Sequence, residues 1–260
     1  MPAIELRNAG VEFAIYNSRS RSVRNDLLRR VGGHIDAAAD NDRVVVQALR
    51  GINLKLESGD RIGLIGHNGA GKTTLLRVLS GAYEPSTGTA LIDGRVSSLL
   101  DLHMGMDFEL TGRQNIVLRG VFLGLTFKEA HGLVPEIAEF CELGAFLDVP
   151  MRTYSSGMII RLAFGVSTAV QPDIILLDEM INVGDEGFAD KARDRIHRVF
   201  DRAHILVLAS HKMRQVREYC NRAILLREGT IVADGPVDDV IRELRATQSG
   251  PKGISGKSAR

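Results

Sequence analysis

The sequence predicts an α/β fold with a mixed sheet as its core and a helical lobe inserted into it. Short apolar runs such as "RIGLI", "DIILLDE" and "HILVLAS" have the length and composition of buried strands, and segments of helical period separate them. The middle of the chain, including "FKEAHGLVPEIAEFCEL", is helical in period and poor in β-branched residues, which predicts a lobe at about 102–165. At 260 residues the chain is long enough to bury one large core with an attached lobe.

The flanking segments add strands and one last helix. The first, "IELRNAGVEF", predicts a strand pair or one strand bent at Gly10, and "VVVQALRGINLKLESGDRIGLIG" predicts three strand pieces with a tight turn at 58–60. Further on, "RAILLREGTIVADG" is typical of a hairpin with its turn at Glu228–Gly229. The segment "PVDDVIRELRAT" predicts a final helix with Pro236 in its first turn.

These elements form one predicted domain over residues 1–246, followed by a flexible Gly/Ser/Lys-rich tail at 247–260. An arginine-rich insertion is expected at about 18–47, where "SRSRSVRNDLLRR" carries five arginines with apolar residues at roughly helical spacing. Two interpretations stay open for this stretch. It is either a solvated helix face or a surface that lies against the cytosolic leaflet or a lipid-pyrophosphate.

The composition narrows the classes of function. The formal net charge of +1 gives no electrostatic reason to expect a nucleic-acid partner. Cys141 and Cys220 stand far apart and form no CxxC, so we expect two free, buried thiols and neither a disulfide framework nor a zinc site. No apolar segment near the N-terminus suggests a signal peptide, and no run approaches the roughly 20 residues that span a bilayer. A soluble, cytosolic protein is expected.

The segment "GHNGAGKT" predicts a phosphate-binding loop. It fits G-x-x-x-x-G-K-[ST], follows the apolar strand "RIGLI" and precedes the helical "TLLRVLSG", which is the context that the motif requires. The glycines allow consecutive backbone N–H groups to face phosphate, and the helix dipole adds a favourable field. Lys72 would contact the β- and γ-phosphates, and the Thr73 hydroxyl would ligate Mg²⁺. The residues predicted to bind the phosphates of a nucleotide are Gly66, His67, Asn68, Gly69, Ala70, Gly71, Lys72, Thr73 and Thr74.

A second candidate site lies where "DIILLDE" ends in two carboxylates. A buried parallel strand there would bring Asp178 beside the phosphate loop as a Mg²⁺ ligand, directly or through water. Glu179 would polarise an attacking water as general base. A strand that ends in a solvated acidic turn is the plainer alternative. The N-K-x-D element typical of many GTPases does not occur in this sequence.

The stretch "YSSGMIIRLAF" opens an apolar helix with a hydroxyl-rich turn at 154–157. A simple N-cap would explain one serine. The order of phosphate loop, YSSGM, the Asp-Glu strand end and a later histidine resembles the ATP-binding-cassette (ABC) ATPases. The departures from LSGGQ resemble the polysaccharide-exporting branch of that family, which moves O-antigen, teichoic acid or galactan. The resemblance runs from about Ile4 to Arg242 and includes "VGDEGFADK" and "FELTGRQNI".

This resemblance implies roles for further residues. Ser155, Ser156 and Gly157 would contact the γ-phosphate of ATP held by a second copy of the chain, so a homodimer with two ATP molecules between its subunits is implied. His211 matches the switch histidine, which is catalytic together with Glu179 and Lys72. Asp185 matches the D-loop aspartate.

Two features of the family are not settled by the sequence. The glutamine that usually touches Mg²⁺ between core and lobe is absent from "SSLLDLHMGMDFELTG", where Asp101 or a water would substitute. Adenine is often stacked on an aromatic side chain near the first strand, and Phe13 and Tyr16 are both candidates, each of them equally plausible as packing.

The resemblance implies an ATP-hydrolysing subunit of a polysaccharide exporter. It would use ATP and Mg²⁺, bind a separate integral membrane permease at the cytoplasmic face of the bacterial inner membrane, and drive export of a lipid-linked glycan, with no nucleic-acid partner. The alternatives are an ABC ATPase of another export system, a non-transport ABC ATPase, and a clamp that binds ATP without useful hydrolysis. The presence of Lys72, Asp178, Glu179 and His211 argues against the clamp.

Overall fold

The computed structural model describes residues 1–16, 34–36, 43–98, 104–178 and 186–248. The strands are β1 Ala3–Tyr16, β2 His34–Asp36, β3 Arg43–Glu57, β4 Arg61–Ile65, β5 Thr87–Asp93, β6 Val96–Ser98, β7 Ile174–Asp178, β8 Ile205–Ala209, β9 Arg222–Arg227 and β10 Thr230–Pro236. The helices are α1 Lys72–Leu79, α2 Gly112–Phe122, α3 Phe127–Gly132, α4 Val134–Cys141, α5 Ser156–Ala169, α6 Glu186–Arg202, α7 Met213–Tyr219 and α8 Val237–Gln248. Two short 3₁₀ turns lie at Gly144–Asp148 and Met151–Thr153.

The first sheet is antiparallel, with strand order β2-β3-β1-β5. β1 is one strand with register shifts around Gly10, so the bent-strand interpretation is confirmed. The prediction of a break within β3 is wrong. Arg50 and Gly51 lie between the pairs Val11–Leu49 and Ala9–Ile52, so two residues of β3 oppose one of β1. Gly51 has φ +56°, and this bulge absorbs the apparent interruption without ending the strand.

The second sheet has the order β10-β9-β4-β8-β7-β6 and confirms the predicted mixed core. β9, β4, β8, β7 and β6 are parallel to one another, whereas β10 runs antiparallel to β9. The predicted turn at Glu228–Gly229 joins β9 to β10, with φ of +47° and +77°. Because β4, β8 and β7 are parallel neighbours, the segments that follow them meet at one edge of the sheet.

Alternate side chains of β7 face two different apolar cores, one on each side of the sheet. Ile174 and Leu176 face the core between the two sheets, which also contains α1, while Ile175 and Leu177 face the lobe and α6. This alternation follows from the two-residue period of a strand. The second core joins the sheet to the helical lobe through Phe164 of α5.

The arginine-rich segment and the final helix differ from their predicted forms or lie partly outside the described residues. Most of the arginine-rich segment lies outside the described residues, and the part within them forms β2 and the start of β3. The final helix is α8, but Pro236 precedes it as the last residue of β10. Among the helices that the structure describes, none combines the length and apolar character needed to cross a membrane.

Both cysteines carry free thiols. Cys141 is buried, as expected, whereas Cys220 is half-buried. Burial raises the pKa of each thiol to about 12, so both are protonated at neutral pH.

Candidate active site

The predicted phosphate loop connects β4 to α1 and curls around one ammonium group. Lys72 is 8% exposed, and its Nζ donates to the carbonyl oxygens of Gly66 at 2.8 Å and His67 at 3.0 Å. Within the loop, the N–H of Ala70 also donates to the His67 carbonyl at 3.1 Å. These bonds hold a buried positive charge at the N-terminal end of α1, which is favourable for binding phosphate.

Two glycines of this loop are required by the strands behind it. A Cβ at Gly66 would come within 2.4 Å of the Leu226 carbonyl oxygen in β9, and one at Gly71 within 2.9 Å of the Ala48 oxygen in β3. Gly71, with φ +103°, is also the N-cap of α1 and supplies no side-chain hydrogen bond. The N–H groups of the first helical turn are therefore left uncapped by a side chain, as an anion site requires.

The acidic strand end lies beside this loop. Asp178 is the last residue of β7, and the Thr73 hydroxyl donates to its Oδ2 at 2.7 Å. Thr73 is exposed and Asp178 is half-buried. A hydroxyl beside a carboxylate is the hard-oxygen donor set that Mg²⁺ accepts together with waters and nucleotide phosphates, so these residues fit the ion. Glu179 lies outside the described residues.

The segment after β8 reaches the same edge of the sheet. Ala209 pairs with Asp178, and exposed His211 follows two residues later. Ser210, which no sequence motif indicated, is 1% exposed. Its hydroxyl donates to Gln215 Oε1 at 2.9 Å and accepts from the N–H of Lys212 at 3.1 Å. A buried hydroxyl directly after an apolar strand fixes the turn that carries the histidine. In the sequence, the position of Ser210 directly before His211 is the feature that could have indicated this role.

The Tyr-Ser-Ser-Gly turn opens α5 in the helical lobe. Ser155 is the N-cap, and its Oγ accepts from the N–H of Met158 at 3.3 Å. Tyr154 is 8% exposed and its hydroxyl donates to the Phe146 carbonyl, whereas Ser155 and Ser156 are exposed and Gly157 is half-buried. Burial raises the pKa of Tyr154, which keeps this donor protonated. The tyrosine thus anchors the turn while both serines face outward.

Other predicted site residues are less informative. Phe13 is half-buried and packs edge-on against Tyr83 with a centroid separation of 5.7 Å. The side chain of Tyr16, and the residues Asp101 and Asp185, lie outside what the structure describes. The described site therefore brings together Lys72, Thr73 and Asp178, with His211 at the same sheet edge.

A phosphate loop whose threonine meets an aspartate at the end of another strand of the same sheet defines a P-loop nucleotide-binding protein. A family model described as ABC transporter matches residues 49–182. The chain belongs to the ABC transporter family, and it is one of the ATPases of that family. The resemblance seen in the sequence is confirmed.

Comparison with individual proteins shows which members of the family the chain is similar to. The chain is 44% identical to the O-antigen export system ATP-binding protein RfbE of Yersinia enterocolitica, over 89% of this chain and 97% of that protein. It is 41% identical to the teichoic acids export ATP-binding protein TagH of Lactococcus lactis, over 75% of this chain but only 42% of that protein. The fold is similar to that of the dimeric ATP-binding cassette MJ0796 in a post-hydrolysis state bound to ADP and Pi, with a TM-score of 0.64, 18% identity and coverage of 90% and 98%.

Proposed function

We propose that this chain is the ATP-hydrolysing subunit of an exporter of lipid-linked polysaccharide, and that two copies enclose two ATP molecules between them. The main support for the dimer comes from the residues at the start of α5. Its serines are exposed, polar and located at a helix N-terminus, while the buried Lys72 site belongs to another part of the same chain. Ser155 and Gly157 would donate to the γ-phosphate bound by the other copy.

In this proposal the residues around the phosphate loop bind and orient the nucleotide. Lys72 neutralises the β- and γ-phosphates, and Thr73 with Asp178 would hold Mg²⁺, which would supply further positive charge for the nucleotide. Glu179 accepts a proton from the attacking water, and His211 orients that water and contacts the γ-phosphate. Asp185 crosses the dimer interface. The Thr73–Asp178 hydrogen bond supports this arrangement because it places both proposed ligands together.

The proposed partners are a separate integral membrane permease and a lipid-linked glycan, at the cytoplasmic face of the bacterial plasma membrane. The names of the relatives, which are ATP-binding proteins of O-antigen and teichoic acid export, support this class of cargo. The formal net charge of +1 gives nucleic acid no general attraction. We also propose that residues 1–246 act as one cassette with its lobe at about 102–165.

The test is purification of the chain from its own membranes in mild detergent, followed by reconstitution of the co-purified complex in proteoliposomes. We expect an integral membrane protein in the complex and ATP hydrolysis that rises when lipid-linked polysaccharide is included. Glu179→Gln is the matched control and should bind ATP without releasing phosphate. Recovery of nucleic acid or ribosomal protein in place of a membrane protein would favour a non-transport ATPase. A membrane complex that responds only to another cargo would overturn the glycan assignment.

A further inference from the structure

Residues 104–111, the loop that directly precedes α2, are held to this helix by a buried amide. Asn115 is fully buried, and its Nδ2 donates to the carbonyl oxygens of Asp107 at 2.7 Å and Thr111 at 3.0 Å. Its Oδ1 accepts from the N–H of Asp107 at 2.8 Å. Because these bonds satisfy the backbone of the loop inside the protein, they fix the loop and α2 as one unit.

One turn further along α2, a buried arginine extends this unit to α5. Arg119 is 2% exposed, and its guanidinium donates to the Met104 carbonyl of the loop and to Ser167 Oγ at 2.8 Å. Ser167 is also 2% exposed and donates in turn to the Ala163 carbonyl at 2.7 Å. A single side chain thus connects the loop, α2 and the last turns of the helix that begins at Ser155 and Ser156.

The same loop also contacts the segment that leads into α5. The N–H of Met151 donates to the Leu110 carbonyl and that of Arg152 to the Phe108 carbonyl, both at 2.9 Å. α5 is therefore held at its entrance and again near Ser167, about 18 Å along its axis from Ser155 at 1.5 Å per residue. Two polar attachments this far apart, added to the apolar packing of α5 around Phe164, constrain the direction of the helix at both ends.

We propose that Arg119 is a positioning residue, which sets the direction of α5 so that Ser155 and Gly157 meet the nucleotide of the other copy. The inference rests on the proposed two-copy ATP site. A buried guanidinium often stabilises a folded protein no more than an apolar side chain of similar volume does, so stability alone does not explain an arginine at this position. Its fork of donors instead fixes the separation and angle between two backbones. Arg119 touches no reacting atom and acts through α5.

The first test measures the orientation within one copy of the chain, without nucleotide. Hydrogen exchange of the amides at 151–160 is compared in the parent, Arg119→Met, Ser167→Ala and Thr168→Val. Thr168 is the matched control because it is 4% exposed and donates to the Phe164 carbonyl at 2.7 Å, four residues earlier, as Ser167 does to Ala163. We expect exchange about tenfold faster in the first two variants only. Unchanged exchange in both, or an equal rise in Thr168→Val, overturns the positioning role.

The second test separates positioning from general destabilisation. In the Glu179→Gln background, ATP-dependent dimerisation is measured by analytical ultracentrifugation, and binding of a fluorescent ATP analogue reports the phosphate loop. Arg119→Met and Ser167→Ala should weaken dimerisation about tenfold and leave nucleotide affinity within twofold, while Arg119→Lys recovers part of the loss. Equal losses of both properties would show a merely structural residue. If the parent itself fails to dimerise, the two-copy site is wrong, and the role of Arg119 in that site is overturned with it, even where the exchange results show that Arg119 orients α5.

Discussion

The starts of α1 and α5 are both helix N-termini proposed to face phosphate, yet they are built in different ways. α1 begins after Gly71 in a left-handed conformation with no side-chain cap, and its first residue is the buried Lys72. α5 begins after Ser155 in an extended conformation, with its hydroxyl accepting from the N–H of Met158 and both serines exposed.

The difference lies in which chemical groups surround each helix start. At α1, the strands β3 and β9 press against the phosphate loop and Asp178 meets Thr73, so the chain supplies a cation, uncapped N–H groups and oxygen ligands together. At α5, the chain supplies hydroxyl and N–H donors on an exposed turn. The buried Tyr154 anchors this turn by donating to the Phe146 carbonyl. The first arrangement has the groups that a phosphate site requires, whereas the second has only donors, which supports the proposal that α5 contacts a nucleotide bound by another copy.

Removing the cation should have the largest effect. Lys72→Ala takes a buried ammonium from the phosphate loop, which removes a charge-assisted donor to phosphate and the bonds to Gly66 and His67. We expect kcat/KM for ATP hydrolysis to fall about 1000-fold, measured by phosphate release. Lys55→Ala is the control, because Lys55 pairs with Glu57 on an exposed surface. Activity of Lys72→Ala within tenfold of the parent would contradict the assignment of this loop.

A negative charge at the start of α5 should separate the two helix starts. A Cβ at Gly157 would meet only Ser155 Oγ, at 3.9 Å, so Gly157→Asp fits the folded protomer but places a carboxylate where phosphate is proposed to bind. We expect hydrolysis to fall about 100-fold by charge repulsion, with nucleotide affinity of the single protomer unchanged. Gly132→Asp introduces the same charge at an open, exposed position and should leave hydrolysis intact.

Mixing experiments sharpen this second prediction. Lys72→Ala and Gly157→Asp damage opposite sides of a shared site, so a mixed dimer would hold one site with both defects and one intact site. An equimolar mixture should then regain roughly a quarter of the parent activity, because about half of the dimers are mixed and each holds one good site of two. No recovery, in a mixture shown to exchange subunits, would mean that each chain completes its own site.

The sequence predicted those parts of the site that are contiguous and chemically specific. Glycines, Lys72 and Thr73 lie within a few residues of one another, and an apolar run that ends in Asp178 is predictable as a strand beside them. The fold class and the Glu228–Gly229 turn follow from local patterns as well. The continuation of β3 through Gly51 was not predictable, because the bulge depends on its pairing partner.

Residues that act through tertiary contacts could not be predicted from their neighbours in sequence. An arginine within a helix is usually solvated, and only the packing of α2 between the loop and α5 buries Arg119. Ser210 likewise becomes a turn-fixing donor only when the segment after β8 folds back on Gln215. A distance between segments that are 48 residues apart, as for Arg119 and Ser167, leaves no signal in a single sequence.

The smallest expected effect comes from removing helix N-caps. The comparison is between the cap of α3, which serves stability, and the cap of α5, which is proposed to serve function. α3 begins with a reciprocal capping box, in which Glu129 accepts from the Thr126 N–H at 2.8 Å and Thr126 Oγ1 accepts from the Glu129 N–H at 3.3 Å. The equivalent third position of α5 is Met158, so Ser155 caps alone. Thr126→Ala should lower Tm by roughly 2–4 °C with unchanged hydrolysis. Ser155→Ala should lower Tm less and hydrolysis more.

The pH dependence of that Tm difference tests its origin. The Thr126 hydroxyl, followed by its backbone N–H, lowers the pKa of Glu129 below its ordinary value. A carboxylate with a lowered pKa stabilises the fold above its unfolded pKa and loses that contribution as the pH falls through the folded one. The Tm gap between the parent and Thr126→Ala, followed by circular dichroism, should therefore be full at pH 7 and shrink below about pH 4. A gap that stays constant to pH 3 would place the loss in the hydroxyl alone, without the carboxylate.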